Sequence, residues 1–253
     1  MDFLASPEFW VALGQIIIID ILLGGDNAVV IALACRKLPP AQRTKGIIWG
    51  TAGAIILRVI LIAFAMTLLS LPFLKFVGAL LLVWIGVKLL APDEEGHGDV
   101  QGSDKLLAAI KTIIVADLVM SVDNVIAIAG AAQNAGEHQM LLVVLGLLIS
   151  IPIIVWGSQL VIKLMERFPL IITFGGMLLG WIAGGMLVTD PAFVNPEIMT
   201  WMPKWGGVDE KGLPVISDTL YWTSHVVGAL LVLAAGKAVL ARRTAAATAA
   251  RHG

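Results

Sequence analysis

Long apolar runs separated by short polar stretches set the pattern of this chain. The runs fall at about 9–34, 46–69, 72–91, 106–132, 139–162, 168–188 and 218–241. A helix needs about 20 apolar residues to cross a bilayer. In lipid, a helix also satisfies its own backbone hydrogen bonds. The pattern therefore predicts an all-α membrane protein with seven transmembrane helices.

The composition supports this class and argues against a soluble enzyme. Hydrophobic residues make up 58% of the chain and charged residues only 14%. Residues 1–10 lack the basic region of a cleaved signal peptide, so we expect the first apolar run to be retained as a helix. The single cysteine, Cys35, can form no intrachain disulfide, and nothing indicates a cysteine-based metal site.

The basic residues predict the orientation. Most of them lie in alternate links between the apolar runs and in the tail: Arg36, Lys37, Arg43, Lys45, Lys105, Lys163, Arg167, Arg242 and Arg243. Basic links face the cytoplasm by the positive-inside rule. The second and fourth links carry no Lys or Arg apart from Lys75 at the edge of a run, and the sixth link is mainly acidic. We therefore predict an N-outside, C-inside topology.

The two halves of the chain repeat one another. Asp20 and Asp26 recur as Asp117 and Asp123, since 117 minus 20 and 123 minus 26 both give 97. The same offset relates Leu71-Pro72, Gly78, Leu81 and Trp84-Ile85 to Phe168-Pro169, Gly175, Leu178 and Trp181-Ile182. Three runs per repeat is an odd number, so the second copy must enter the bilayer from the opposite side. We expect two inverted three-helix repeats plus one extra helix.

This organisation predicts five segments along the chain. They are a first repeat at 1–91, a cytoplasmic acidic linker at 92–105, a second repeat at 106–188, an external loop at 189–217, and a seventh helix with a cytoplasmic tail at 218–253. His97 in the linker could bind a metal ion weakly, but the acidic and glycine-rich composition is more typical of a solvated linker.

Acidic residues inside the apolar runs are the candidate site. An ionised Asp at the centre of a membrane helix costs roughly 2.5–3.5 kcal/mol, so a bound cation is the simplest compensation. Asp20 and Asn27 are seven positions apart and so lie nearly on one helix face, as do Asp117 and Asn124. The candidate ligands are Asp20, Asp26, Asn27, Asp117, Asp123 and Asn124.

The glycine pair before Asp26 adds a structural expectation. Gly24-Gly25 weakens the first helix, and local unwinding there would free carbonyl oxygens near the membrane centre. The second copy has Ser121-Val122 at the matching positions, so this expectation is weaker there. The alternative for both Asp-Asn pairs is a buried hydrogen-bond network that only holds helices together.

Carboxylate and amide oxygens suit Mn²⁺, Mg²⁺ and Ca²⁺ better than Zn²⁺ or Cu⁺. Three further residues are auxiliary candidates. The Met120 thioether could favour Mn²⁺, or the side chain could simply pack. Arg58, deep in the second run, could neutralise the empty site or pair with carbonyls elsewhere. His225 could serve proton coupling, or it could belong to an interfacial network.

The motifs Gly24-Gly25-Asp26-Asn27-Ala28-Val29 and Asp117-Leu-Val-Met-Ser-Val-Asp123-Asn124-Val125 resemble the paired signatures of the TerC family, particularly its short bacterial YjbE-like branch. The similarity covers roughly residues 9–241. This resemblance implies a multi-pass metal-ion exporter of the bacterial inner membrane, with manganese as substrate and with the four Asp residues at its site.

We therefore expect a secondary transporter that moves Mn²⁺ as its substrate and needs no cofactor. Its partners would be the divalent ion and the lipid bilayer, without nucleic acid, and a homo-oligomer is compatible with the sequence. The chain contains no phosphate-binding motif, so ATP is not used directly. Two rivals stay open: a membrane scaffold or assembly factor with a structural Asp network, and an exporter of a small organic cation or amino acid.

Cysteine labelling tests the predicted topology. A cysteine near His97 and one after Arg243 should react only from the cytoplasmic side, and one near Gly207 only from outside, because of the distribution of basic links. Labelling of the linker from outside would mean that the repeats are parallel and would rule out the inverted arrangement.

Overall fold

The computed structural model describes residues 7–64, 71–91, 102–133, 139–194, 206–208 and 214–252. Within them, the helices are α1 (Pro7–Leu23), α2 (Gly25–Cys35), α3 (Pro40–Ala63), α4 (Leu74–Leu90), α5 (Gly102–Gln133), α6 (Gln139–Arg167), α7 (Leu170–Val188) and α8 (Asp218–His252). Two short strands, β1 (Gly206–Val208) and β2 (Pro214–Ile216), pair antiparallel with Gly207 opposite Val215. The described chain is therefore helical, apart from this hairpin in the predicted external loop.

Apolar helices of membrane-spanning length are confirmed, although not all seven. In the described part of the chain, α3, α6, α7 and residues 218–246 of α8 are long and apolar enough to cross a bilayer, and the pair α1–α2 would add a fifth span. The other two predicted runs coincide with α4, of 17 residues, and α5, of 32 residues. The count of seven, the inversion and the orientation remain predictions.

The last helix continues beyond its predicted end near residue 241. Ala245–Ala250 consist almost entirely of alanine, the residue with the highest helix propensity. The sequence pattern located the apolar part of this helix but not the alanine-rich extension, because hydropathy measures lipid preference rather than helix propensity. Most of the predicted linker with His97 (92–101) and much of the external loop (195–205 and 209–213) lie outside the described residues.

The helices form two compact units that cut across the sequence halves. Unit 1 contains α1, α2, α3, α5 and α6, and unit 2 contains α4, α7, α8 and the hairpin. Each unit therefore draws on both sequence halves: the first two predicted spans of each half lie in unit 1, and the third lies in unit 2.

Unit 1 is built on two main helix contacts, α3 against α5 and α1 against α6. Its apolar core includes Ile16, Leu142 and Leu147, which are fully buried. Glycine permits the closest approaches, since a Cβ on Gly50 would lie 2.5 Å from the Ile113 side chain. This packing holds α3 and α5 close enough for their polar side chains to meet.

Unit 2 depends on close backbone contact between α7 and α8. A Cβ on Gly180 would lie 2.3 Å from the carbonyl oxygen of Gly228, and one on Gly184 would lie 2.1 Å from that of Ser224. Small residues four apart allow such contact in membrane helices, where van der Waals packing replaces the hydrophobic effect as the driving force. The two glycines of α7 are therefore required by geometry.

Asp190 fixes the start of α4 in unit 2. Its fully buried carboxylate accepts hydrogen bonds from the backbone N–H groups of Phe73 (2.9 Å), Phe76 (3.0 Å) and Ala192 (2.7 Å). Phe73 has a positive φ of 64°, which is uncommon for a residue other than glycine. The bonds from Phe73 and Phe76 satisfy donors at the N-terminus of the helix that would otherwise be free. Sequence reasoning counted Asp190 only as one of the acidic residues of the external loop.

A substitution at Gly180 tests the packing of unit 2. Gly180→Ala should lower the free energy of unfolding by about 1–3 kcal/mol, because the added methyl overlaps a backbone oxygen that cannot move aside cheaply. Thermal unfolding in detergent measures the change. The control is Gly14→Ala on α1, where a Cβ would meet nothing within 4 Å. Equal stability of the two variants would contradict the close α7–α8 contact.

Candidate functional site

The first apolar run is broken at Gly24. Helix α1 ends at Leu23, α2 begins at Gly25, and the two are bent by 49°. A Cβ on Gly24 would lie 2.4 Å from the carbonyl oxygen of Asp20, so only glycine fits without a shift of the backbone. The expected unwinding at the glycine pair is present, and it places Asp26 and Asn27 in the first turn of α2.

The first turn of α2 suits a carboxylate. The initial N–H groups of a helix have no partner within it, and that end carries partial positive charge. The Asp26 Oδ1 atom accepts a hydrogen bond of 2.8 Å from the backbone N–H of Asn27. Asp26 is only partly buried. The break therefore stabilises a carboxylate that keeps some exposure.

Arg58 joins the two copies of the acidic motif. Its guanidinium, on α3, forms buried ion pairs with Asp20 of α1 and Asp117 of α5. Its Nε–H donates to the Ser121 hydroxyl at 2.9 Å, and that hydroxyl donates to Asp117 Oδ2 at 3.0 Å. The sequence left open whether Arg58 pairs with the acidic residues or with carbonyl groups elsewhere. The structure shows that it pairs with the acidic residues.

Asn27 lies at the same break without such partners. Its side chain is 3% exposed, and neither its Oδ1 nor its Nδ2 atom has a hydrogen-bond partner. Asn124, its counterpart on α5, donates from Nδ2 to the Leu23 carbonyl oxygen at 3.4 Å, using an acceptor that the end of α1 leaves free. Buried polar groups are normally paired, so an unpaired amide here indicates a place for a ligand or water.

The described acidic side chains do not form a complete metal cluster. Among the described residues, no three His, Cys, Asp or Glu side chains lie together closely enough to hold a metal ion. Arg58 occupies the space between Asp20 and Asp117, while Asp26 lies near enough to interact electrostatically with both Arg58 and Asp117. The side chain of Asp123 falls outside the described part of the structure.

The auxiliary candidates lie in different places. Met120 is buried on α5 in unit 1. His225 is buried in unit 2, where its Nδ1 atom is 2.7 Å from the Tyr221 carbonyl oxygen and its ring packs between aromatic side chains. The ring centroid of His225 lies 5.0 Å from that of Trp181 and 5.8 Å from that of Trp222. The structure therefore places His225 in an aromatic cluster of unit 2, whereas both copies of the Asp-Asn motif lie in unit 1.

Two serines belong to the network although sequence reasoning did not assign them to it. Ser121 connects Arg58 to Asp117. Ser150 on α6 lies beside the Asp20 carboxylate and donates its hydroxyl to the Gly146 carbonyl oxygen at 2.9 Å. Both side chains are fully buried. Alignment of the repeats offered a signal for Ser121, because this residue takes the position of Gly24 in the second copy.

The match to a family model decides the relationship of the chain. Residues 5–245 match the model described as the integral membrane protein TerC family. The chain belongs to the TerC family. The resemblance seen in the two Asp-Asn motifs is thereby confirmed, and a multi-pass membrane location follows.

Relatives within the family share much of the length of this chain. The uncharacterized membrane protein YjbE of Bacillus subtilis is 42% identical over 210 residues, which are 83% of this chain and 91% of YjbE. YceF of the same organism is 27% identical, covering 72% of each protein. The inner membrane protein YgdQ of Escherichia coli is 26% identical over 66% of this chain and 75% of its own length. No solved structure matches the chain significantly.

Two neighbouring glycines test the geometry of the break. Gly24→Ala should lower the free energy of unfolding by about 1–3 kcal/mol, since the methyl overlaps the Asp20 carbonyl and the break must shift. Gly25→Ala is the matched control, because a Cβ there meets nothing within 4 Å. Thermal unfolding of both purified variants measures the difference. A loss of stability in Gly25→Ala alone would show that the break has another geometry.

Proposed function

We propose that this TerC-family protein is a secondary transporter that exports divalent metal ions, with Mn²⁺ as substrate, from the bacterial cytoplasm across the inner membrane. The ion would pass through a site near the membrane centre formed by Asp20, Asp26, Asn27, Asp117, Asp123 and Asn124. The TerC relationship supports a membrane role, and the inner membrane protein YgdQ of Escherichia coli supports the location.

The unpaired amide of Asn27 carries the proposal. Leaving a buried polar group without a partner costs about 1–3 kcal/mol. Asn27 carries this cost at the N-terminus of α2, directly beside Asp26 and next to the helix break at Gly24. An amide oxygen, a carboxylate and carbonyl oxygens are together the ligands of a hard cation. Broken helices near the membrane centre serve this purpose in other secondary transporters.

The chemistry of these donors favours Mn²⁺, Mg²⁺ or Ca²⁺ over softer ions. The proposed ligands are all oxygen atoms from Asp and Asn side chains or from the backbone. Mn²⁺ accepts such ligands, and manganese is the substrate that the resemblance to the family implies. The buried Met120 on α5 could add a soft donor near the second motif.

A structural role has one observation in its favour. Arg58 and Ser121 engage both oxygens of Asp117, so this part of the network is satisfied without a metal ion. A scaffold or assembly factor would need nothing more from Asp20 and Asp117. It would not account for the unpaired Asn27 or for the helix break at Gly24, which weakens a membrane helix.

Export of a divalent cation requires an energy source. Moving two positive charges outward against an inside-negative potential of 100 mV costs about 4.6 kcal/mol, from about 2.3 per elementary charge. Inward movement of protons could supply this energy, and we propose Mn²⁺/H⁺ antiport. His225 lies in unit 2 and is not needed for this coupling if carboxylates of the site carry the proton.

Replacing a proposed ligand tests the function. Asp26→Ala and Asp123→Ala should abolish manganese tolerance in a sensitive bacterial host while the protein still accumulates in the membrane, because the cation loses an anionic ligand. Asp104→Ala, an exposed acidic residue in the first turn of α5, is the control and should protect cells like the wild type. If the Asp26 and Asp123 variants fold and still confer tolerance, that result would support a structural role for the Asp network over a role in transport.

Proteoliposomes loaded with Mn²⁺ give the direct measurement for the same variants. Wild-type protein should release Mn²⁺ and move protons the opposite way, and Asp26→Ala should do neither. Efflux without proton movement at a clamped membrane potential would exclude antiport and leave a uniporter or another coupling ion.

A further inference from the structure

Arg58 makes a contact with each copy of the acidic motif at once. The side chain is 2% exposed, and its three nitrogens contact Asp20, Asp117 and Ser121. A guanidinium is planar, permanently charged and able to donate in several fixed directions. One cation therefore spans the two carboxylates that the repeat places opposite each other.

This arrangement occupies the oxygens that a metal ion would use. Asp117 accepts from Arg58 at Oδ1 and from Ser121 at Oδ2. Asp20 accepts from Arg58 at Oδ1. A divalent ion at these carboxylates would share their oxygens with the guanidinium and would be repelled by its positive charge. Binding of substrate at Asp20 and Asp117 is therefore favoured once Arg58 has moved away from them.

The counter-ion is not duplicated with the acidic motif. At the repeat offset of 97, the counterpart of Arg58 is Val155, and the counterpart of Ser121 is Gly24. The first copy thus supplies the helix break and the cation, and the second supplies the hydroxyl that holds the cation. A single arginine serves two carboxylates, which leaves the group with one uncompensated negative charge.

We propose that Arg58 is a built-in substitute for the substrate cation, which holds Asp20 and Asp117 when the transporter is empty and competes with Mn²⁺ for them. This inference rests on the proposed function. The ion first meets Asp26 and Asn27 at the break, where an amide is unpaired, and reaches Asp20 and Asp117 by displacing the guanidinium. After release of the ion, Arg58 returns, so the empty site does not leave these two carboxylates unpaired in a buried environment.

Binding of Mn²⁺ to the purified full-length protein tests this competition. Arg58→Gln removes the competing charge and should tighten Mn²⁺ binding by about tenfold or more, because the ion then meets free carboxylates. Arg58→Lys keeps the charge but loses the fork and should tighten binding by a smaller factor. Ser121→Ala removes only one partner of the guanidinium and should shift the affinity in the same direction.

The tightly binding variants should also turn over poorly. Without the returning cation the ion is released slowly, so Mn²⁺ efflux from proteoliposomes should fall in Arg58→Gln although its affinity rises. Arg43→Gln is the matched control, since Arg43 pairs with Glu166 away from the acidic motifs of unit 1, and its Mn²⁺ affinity should equal that of the wild type.

The outcomes separate this inference from the proposed function. If the wild type transports Mn²⁺ but Arg58→Lys, Ser121→Ala and Arg58→Gln bind it no more tightly, Arg58 does not compete and only the inference fails. If the wild type neither binds nor transports Mn²⁺, the proposed function fails and the inference with it. Should Arg58→Gln not fold, the affinities of Arg58→Lys and Ser121→Ala decide the question.

Discussion

The guanidinium of Arg58 lies between the carboxylates of Asp20 and Asp117, and all three groups are almost inaccessible to solvent. Removing ions from water costs several kcal/mol for each, and their attraction offsets this only when the geometry is close and the remaining hydrogen bonds are made. Helices α1, α3 and α5 must therefore lie close together for these ion pairs to form. Gly50, packed against Ile113, lets α3 and α5 approach closely enough for this.

The two copies of the acidic motif differ at positions that have different structural roles in the network around Arg58. Gly24 permits the break between α1 and α2, whereas the matching Ser121 lies within a continuous α5 and binds Arg58. Asn124 donates to the Leu23 carbonyl oxygen at the end of α1, while the side-chain amide of Asn27 has no hydrogen-bond partner. A symmetric pair of motifs thus produces one amide with a hydrogen-bond partner and one without, and only one of the two helices is interrupted.

The sequence predicted the helical class, the presence of several helices long and apolar enough to cross a membrane, and the weak point at Gly24-Gly25. Hydropathy and glycine content depend on local composition, so they can be read from the sequence. It placed Arg58 deep in a run but could not choose its partners, since these lie on helices 38 and 59 residues away along the chain. The buried cap formed by Asp190 was missed for the same reason. The Asp190 carboxylate accepts hydrogen bonds from backbone N–H groups more than 110 positions earlier in the chain. A contact over such a distance leaves no periodic pattern in the sequence.

A transport site must bind an ion and also release it. If all six proposed side chains surrounded the ion permanently, their combined charge would hold it too tightly for turnover, as in pores where binding has to stay weak enough for exit. The structure instead shows two carboxylates paired with Arg58 and a separate carboxylate beside an unpaired amide at the break. This division would give the protein two arrangements, one with Arg58 between Asp20 and Asp117 and one with the substrate ion in its place. Under the proposed function, the substrate ion displaces Arg58, and Arg58 returns when the ion is released. The buried carboxylates of Asp20 and Asp117 thus exchange one cation for another, and neither cation is bound permanently.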